Sequence, residues 1–118
     1  MVTQSVYADP LSVTFSALSH PVRRDMLRQL RTGKVTVKEL AEPHEMSAPA
    51  ITKHLKVLEN AKLITRSQDA QWRFSEIHVS PLIEVANWVD EYKILWNERL
   101  DRLEVYVEKL TKGDKNTQ

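Results

Sequence analysis

The run Met46-Ser47-Ala48-Pro49-Ala50-Ile51-Thr52-Lys53-His54-Leu55-Lys56-Val57-Leu58-Glu59 constrains the fold of this chain more than any other stretch. Ile51, Leu55 and Leu58 recur at helical spacing and must be covered by a core. Thr52, Lys53 and Lys56 then point away from it. Ser47 suits an N-cap, and Pro49 falls in the first turn, where a missing N–H costs nothing. The result is a short helix with one apolar side and one small, polar and cationic side.

The chain has 118 residues, which predicts one domain with a modest core. Only two glycines, Gly33 and Gly113, and five prolines interrupt it, so regular structure dominates and helix is favoured. There is no cysteine, which excludes disulfides, thiolate metal sites and thiol redox sensing. The N-terminus lacks a basic-then-apolar pattern and no apolar run approaches the ~18 residues of a span, so neither a secretory signal nor a membrane partner is expected. The expectation is a cytoplasmic protein. An enzyme is not expected: the chain shows no nucleophile elbow, no phosphate-cradling glycine loop and no carboxylate pair with a clear pocket.

Charge is divided along the chain. From His20 to Ser75 there are eleven Lys/Arg against six Asp/Glu, whereas from Glu76 to Leu110 there are four against eight. The first part suits a polyanion, and the second suits a separate assembly element.

Around the central helix the order of elements is regular. Residues 1–9 are polar and expected to be loosely ordered. Asp9-Pro10 opens a helix carrying Leu11, Phe15 and Leu18 at i, i+4, i+7. Ser19-His20-Pro21 breaks it and caps a second, whose apolar stripe is Val22, Met26, Leu27 and Leu30. Gly33 suits a left-handed C-cap. Val35 to Ala41 predicts a short helix, with Thr36 and Glu39 in a capping-box pattern, and Pro43 stops it. The tight connection His44–Ser47 then leads into the cationic helix, which makes the pair a helix-turn-helix.

Leu63–Ser67 and Trp72–Ile77 alternate as two strands, with Gln68-Asp69-Ala70-Gln71 as their turn. The remainder, from Pro81 to Leu110, is one long helix of about 45 Å at 1.5 Å per residue. Ala86, Val89, Trp96, Leu100, Leu103, Val107 and Leu110 form one apolar stripe, and Val85, Trp88, Tyr92 and Leu95 a second beside it. The simplest burial puts one stripe on the chain's own core and the other on a second subunit. Residues 111–118 are expected to be a disordered tail. The fold class is therefore mainly α with a two-stranded β-hairpin: a winged helix-turn-helix over residues 10–110, ending in a long C-terminal dimerisation helix.

Phe15-Ser16-Ala17-Leu18-Ser19-His20-Pro21-Val22-Arg23-Arg24 resembles the "aLa-p-RR-iL" opening of the ArsR family of winged-helix repressors. Thr36–Ala41, Ser47–Leu58, Leu63-Ile64 and the hairpin from Arg66 to Phe74 continue the resemblance, which covers about residues 11–77 in order and spacing. Trp88, Tyr92 and Trp96, followed by Asn97–Leu103, resemble a branch without the metal-sensing residues. The family's metal sensors often carry two cysteines on the third helix, where this chain has Thr36 and Lys38. The other frequent site takes Asp and His from the last helix, and residues 81–110 contain no histidine. His20, His44, His54 and His78 share no local ligand spacing, so no metal and no cofactor are expected. The resemblance implies double-stranded DNA and a second copy of the chain as partners.

Roles divide by chemistry. Ser47, Ala48, Pro49, Thr52 and Lys53 lie toward the end of a recognition helix that reaches base edges. Lys56 and His54 suit phosphate, and His54 has the alternative of packing or capping. Arg66, Gln68, Gln71 and Arg73 are placed to reach the flanking backbone or minor groove. Arg23 and Arg24 have two readings, phosphate contact or pairing with acids such as Asp25 or Glu104. Leu11, Phe15, Val89, Trp96, Leu100, Leu103, Val107 and Leu110 are expected at the dimer interface. Trp88, Tyr92 and Trp96 would line a pocket if a small-molecule effector exists, although aromatics at this spacing more often belong to core or interface. The expected function is sequence-specific regulation of transcription by a dimeric repressor. The alternative is a winged-helix protein-interaction module, which would not need the cationic face of residues 47–56.

Overall fold

A computed structural model describes residues 9–116. The expectation of loose order at residues 1–8, and of a tail at 117–118, lies outside the described residues. The elements run α1 (Pro10–Leu18), α2 (Pro21–Gln29), a 3-10 turn (Leu30–Thr32), β1 (Val35–Thr36), α3 (Val37–Ala41), α4 (Ala48–Asn60), β2 (Ile64–Asp69), β3 (Trp72–Ile77) and α5 (Ser80–Asn116). They divide into two compact units, Met1–Val85 and Ala86–Gln118.

Local chemistry sets most boundaries of the first unit. Asp9 is ordered rather than loose: its carboxylate accepts the Ser12 N–H at 2.9 Å and caps α1. Hydrogen bonding from Ser12, by its side chain first and its backbone N–H second, holds the Asp9 carboxyl below the usual carboxylate range. His20 caps α2, its Nδ1 accepting the Val22 N–H at 3.2 Å. Thr36 and Glu39 close the expected capping box on α3, and Ser47 caps α4 by accepting from Ala50 N–H.

The core gathers Ala17 from α1, Met26, Leu27 and Leu30 from α2 and the turn after it, Leu40 from α3, and Ile51, Leu55 and Leu58 from α4. Ala61, Leu63 and Ile64 close it from below. On α1 the buried residues are Thr14 and Ala17, whereas Phe15 is 38% exposed. Thr14 tolerates burial because its hydroxyl donates to Pro10 O at 2.9 Å within the same helix.

The sheet has three strands rather than two, in the order β1-β3-β2. The extended residues leading to the Thr36 cap pair Val35 with Ser75 and Thr36 with Phe74 along the outer edge of β3. Two residues are too few to show an alternation, so the sequence reads them as the start of the helix. The hairpin is longer and its turn tighter than expected. Its pairing runs from Ile64–Ile77 to Asp69–Trp72, leaving Ala70 and Gln71 at the tip with Ala70 at φ 54°. Gly33 has positive φ (137°), but its ψ of −166° is extended, not the left-handed helical cap expected from the sequence.

Ser75 lies at the middle of the sheet, fully buried, and its Oγ has no hydrogen-bond partner among the described residues. An unpaired buried hydroxyl costs about 1 kcal/mol or more. Ser75→Ala is therefore expected to raise stability by about that amount. In urea unfolding this appears as a higher midpoint with an unchanged slope.

A strained backbone position ends α4. The Lys62 N–H donates to Glu59 O at 2.9 Å and the Leu63 N–H to Leu58 O at 3.0 Å, a Schellman motif with Leu58 and Leu63 both buried. The motif needs a left-handed residue, and a lysine takes it at φ 61°. Relief of roughly 1–2 kcal/mol of strain, less the entropy a glycine adds to the unfolded chain, leaves Lys62→Gly roughly 0.5–1 kcal/mol more stable. A lower thermal midpoint for this variant would contradict that account.

The second unit is helical, continuing α5 to Asn116. The expected tail from Thr111 is therefore helical as far as Asn116. No proline stops the helix there, the Thr111 hydroxyl donates back to Val107 O at 3.0 Å, and Lys109 and Lys112 carry the charge that a helix C-terminus favours. Every described side chain from Ala86 to Gly113 is exposed. The apolar side chains of both stripes over these residues are among them.

Candidate nucleic-acid interface

The helix-turn-helix is built from α3, the connection Glu42–Ser47 and α4. Burial of Ile51, Leu55 and Leu58 fixes the rotation of α4 about its axis. That rotation turns Ser47, Ala48, Pro49, Lys53 and Lys56 to the exposed side, with Thr52 half-buried at its edge. Ala48, Pro49, Ala50, Thr52, Lys53 and Lys56 line an open hollow of about 690 Å³ along this face. Among the described residues, neither Lys53 nor Lys56 pairs with an acid. The face therefore presents unneutralised ammonium groups, small side chains and one hydroxyl, a combination that fits a major groove.

The hairpin places the four wing residues differently. Gln71 sits at the tip and Arg73 is exposed opposite Gln68 in register. Gln68 turns its amide back to donate to Ala70 O at 3.2 Å. Arg66 is half-buried, with its guanidinium 3.9 Å from the Glu59 carboxylate of α4, so it braces the wing against the helix.

His54 departs furthest from the expected phosphate contact. It is half-buried and turned toward α2: its ring centroid lies 4.4 Å from that of His20, and its Nδ1 is 3.2 Å from Arg23 Nη1. Burial first, then the charges of His20, Arg23 and His44, lowers its pKa below the ordinary imidazole value.

Arg23 and Arg24 follow neither sequence reading in their hydrogen bonds. Arg23 donates from Nε to Ala17 O at 2.6 Å and from Nη2 to Ser16 O at 3.1 Å, and Arg24 donates to Leu18 O at 2.6 Å. These are end carbonyls of α1, which has no basic residue in its own last turn. Guanidinium groups from the next helix supply the charge its C-terminus favours. Periodicity gave no sign of this role, because the three carbonyls lie six or seven residues before the arginines.

His44 Nε2 lies 3.1 Å from Asp25 Oδ2 and 3.2 Å from Gln29 Oε1, tying the connection before α4 to α2. Among the described residues no group of three His, Asp or Glu side chains converges to hold a metal ion.

On the second unit, Leu100, Leu103, Val107 and Leu110 are each about half exposed, as are Val89 and Trp96. Trp88 and Tyr92 meet in a tilted ring contact, with centroids 5.1 Å apart and planes at 58°.

Comparison with known proteins finds the same architecture. Residues 18–67 match a helix-turn-helix domain model. Transcriptional repressor SdpR of Bacillus subtilis (strain 168) is 32% identical over 75 residues, spanning 64% of this chain and 83% of the repressor. A crystal structure of an ArsR family transcriptional regulator superposes with TM-score 0.69 at 35% identity, covering 75% of this chain and 91% of that one. An ArsR-like transcriptional regulator from Rhodococcus sp. RHA1 superposes with TM-score 0.68 at 25% identity, covering 89% and 95%.

Proposed function

Because the chain belongs to the ArsR family of DNA-binding transcriptional regulators, we propose that it acts as a homodimeric repressor that occludes a promoter. The observation that carries this reading is the outer face of α4, where Lys53 and Lys56 stand without acidic partners beside Thr52 and the capped Ser47. Ser47, Ala48, Pro49, Thr52 and Lys53 meet base edges, and Lys56 meets phosphate. Gln71 and Arg73 reach the flanking backbone, with Gln68 and Arg66 behind them on the wing.

The exposed stripe Val89, Trp96, Leu100, Leu103, Val107 and Leu110 joins two copies, together with Leu11 and Phe15 of α1. Contiguous apolar surface on this scale is what an oligomer interface leaves open in a single subunit. Two recognition helices then enter successive major grooves about 34–36 Å apart on a site with two-fold character. Phosphate contacts supply most of the affinity, so binding falls steeply with salt. The working compartment is the cytoplasm, where the duplex is.

Selection of bound duplexes from a random pool tests the reading. A recovered site with two half-sites one helical turn apart is the expected result. Recovery of no preferred sequence, with retention on nonspecific duplex no stronger than that of a neutral protein, would remove it.

A further inference from the structure

The cluster joining the α1–α2 corner to the recognition helix has geometry that packing alone does not require. One guanidinium, that of Arg23, holds the carbonyls of Ser16 and Ala17 with two of its nitrogens and reaches His54 of α4 with a third. An arginine can only donate, so His54 Nδ1 accepts and the ring proton sits on Nε2. The His20 ring packs on the His54 ring while its own Nδ1 accepts the Val22 N–H. Both contacts need an unprotonated Nδ1.

We propose that Arg23 is a positioning residue for the DNA-reading helix, and that its bond to His54 is a latch that opens when the medium is acidified. The proposal rests on the assignment of α4 as that helix. Protonation of His54 converts the acceptor at Nδ1 to a donor facing a guanidinium. The bond is lost, and a cation stands against Arg23 and the His20 ring. The groups facing His54 are few. α1 carries no titratable side chain, α2 contributes Arg23 with His20 at its cap, and the connection before α4 contributes His44, which is held by Asp25. Among the described residues no carboxylate pairs with His54 to compensate the new charge.

Burial first, then the neighbouring His20, Arg23 and His44, lowers the His54 pKa relative to the unfolded chain. The unfolded chain therefore binds the proton first as pH falls. The contribution to stability is complete above the ordinary imidazole value of about 6.5 and is lost progressively as pH drops below it. The sign of the effect on binding separates the latch from simple charge. Added positive charge strengthens binding to any duplex. An opened latch instead weakens the selected site relative to random duplex, because only the selected site needs α4 held in register.

The test measures affinity for the selected site and for a random duplex at pH 7.5 and 5.5, at constant salt. Wild type is expected to lose several-fold in the ratio of the two affinities on acidification. His54→Gln keeps an acceptor for Arg23 but takes no proton, and should flatten that pH profile. Arg23→Lys keeps the charge without the fork, and should lower the ratio already at pH 7.5. Nitrogen NMR of the free protein is expected to show His54 as the Nε2–H tautomer, shifting to the charged form below the ordinary range. Equal tightening of both duplexes in acid, or one pH profile shared by wild type and His54→Gln, would overturn the latch. If no duplex binds at either pH while the tautomer is as stated, the DNA assignment fails and the bond stands.

Discussion

Replacing Leu103 with aspartate is expected to dissociate the proposed dimer into monomers at micromolar concentration, read by sedimentation equilibrium. Leu103 is 57% exposed in the single chain and lies in the middle of the stripe running from Val89 to Leu110. In a two-fold interface one substitution acts twice. Losing two buried leucines forfeits roughly 3–6 kcal/mol, and desolvating two like charges near the axis adds to that. Even the lower figure weakens association more than about 100-fold. Ile94 supplies the control. It is equally apolar and 64% exposed, but stands nine residues before Leu103, about two and a half turns and therefore on the opposite side of the helix. Ile94→Asp should leave the dimer intact. A dimer that survives Leu103→Asp unchanged would take this stripe out of the interface.

The same stripe shows how far a sequence can be read. Periodicity locates apolar faces wherever the helix is long. It does not say what covers them, because a partner subunit leaves no local signal. Caps read well, since Asp9, Thr36, Glu39 and Ser47 act within three residues of themselves. The buried face of α4 also read correctly, because Ile51, Leu55 and Leu58 are both large and regularly spaced. On α1 the buried residues are Thr14 and Ala17, too small to stand out in the sequence beside Leu11, Phe15 and Leu18. Two-residue β1 was too short to see. The end of α5 was placed early because a polar sequence without a stop signal reads as tail.

The site was legible in part for the same reason. Thr52, Lys53 and Lys56 face outward by rotation alone once the apolar stripe is placed. His54 sits beside them in sequence but turns toward Arg23, a residue 31 positions away. Arg66 likewise reaches back to Glu59. Contacts between distant segments decide which cations remain free, and only the folded chain displays them. That distinction also bears on the charge count, because several of the arginines that make residues 20–75 basic are engaged by carbonyls or carboxylates.

With Arg23, Arg24 and Arg66 so engaged, the outward lysines of α4 carry the binding prediction. Lys56→Ala should lower affinity for the selected site and for random duplex by the same factor. It should also reduce the slope of log affinity against log salt by about one, as expected for one lost phosphate contact. Thr52→Ala or Lys53→Ala should instead cost roughly 1–3 kcal/mol on the selected site and far less on random duplex, with preference relaxed at one base pair per half-site. The two classes differ because phosphates repeat along every duplex, whereas base edges do not. Fluorescence anisotropy across a salt series, with each half-site position varied in turn, measures both quantities in one set of titrations. If all three variants lose equally on both duplexes, α4 touches backbone alone and sequence is read elsewhere. If Lys53→Ala and Lys56→Ala both leave binding unchanged, this face of α4 is not where the duplex lies.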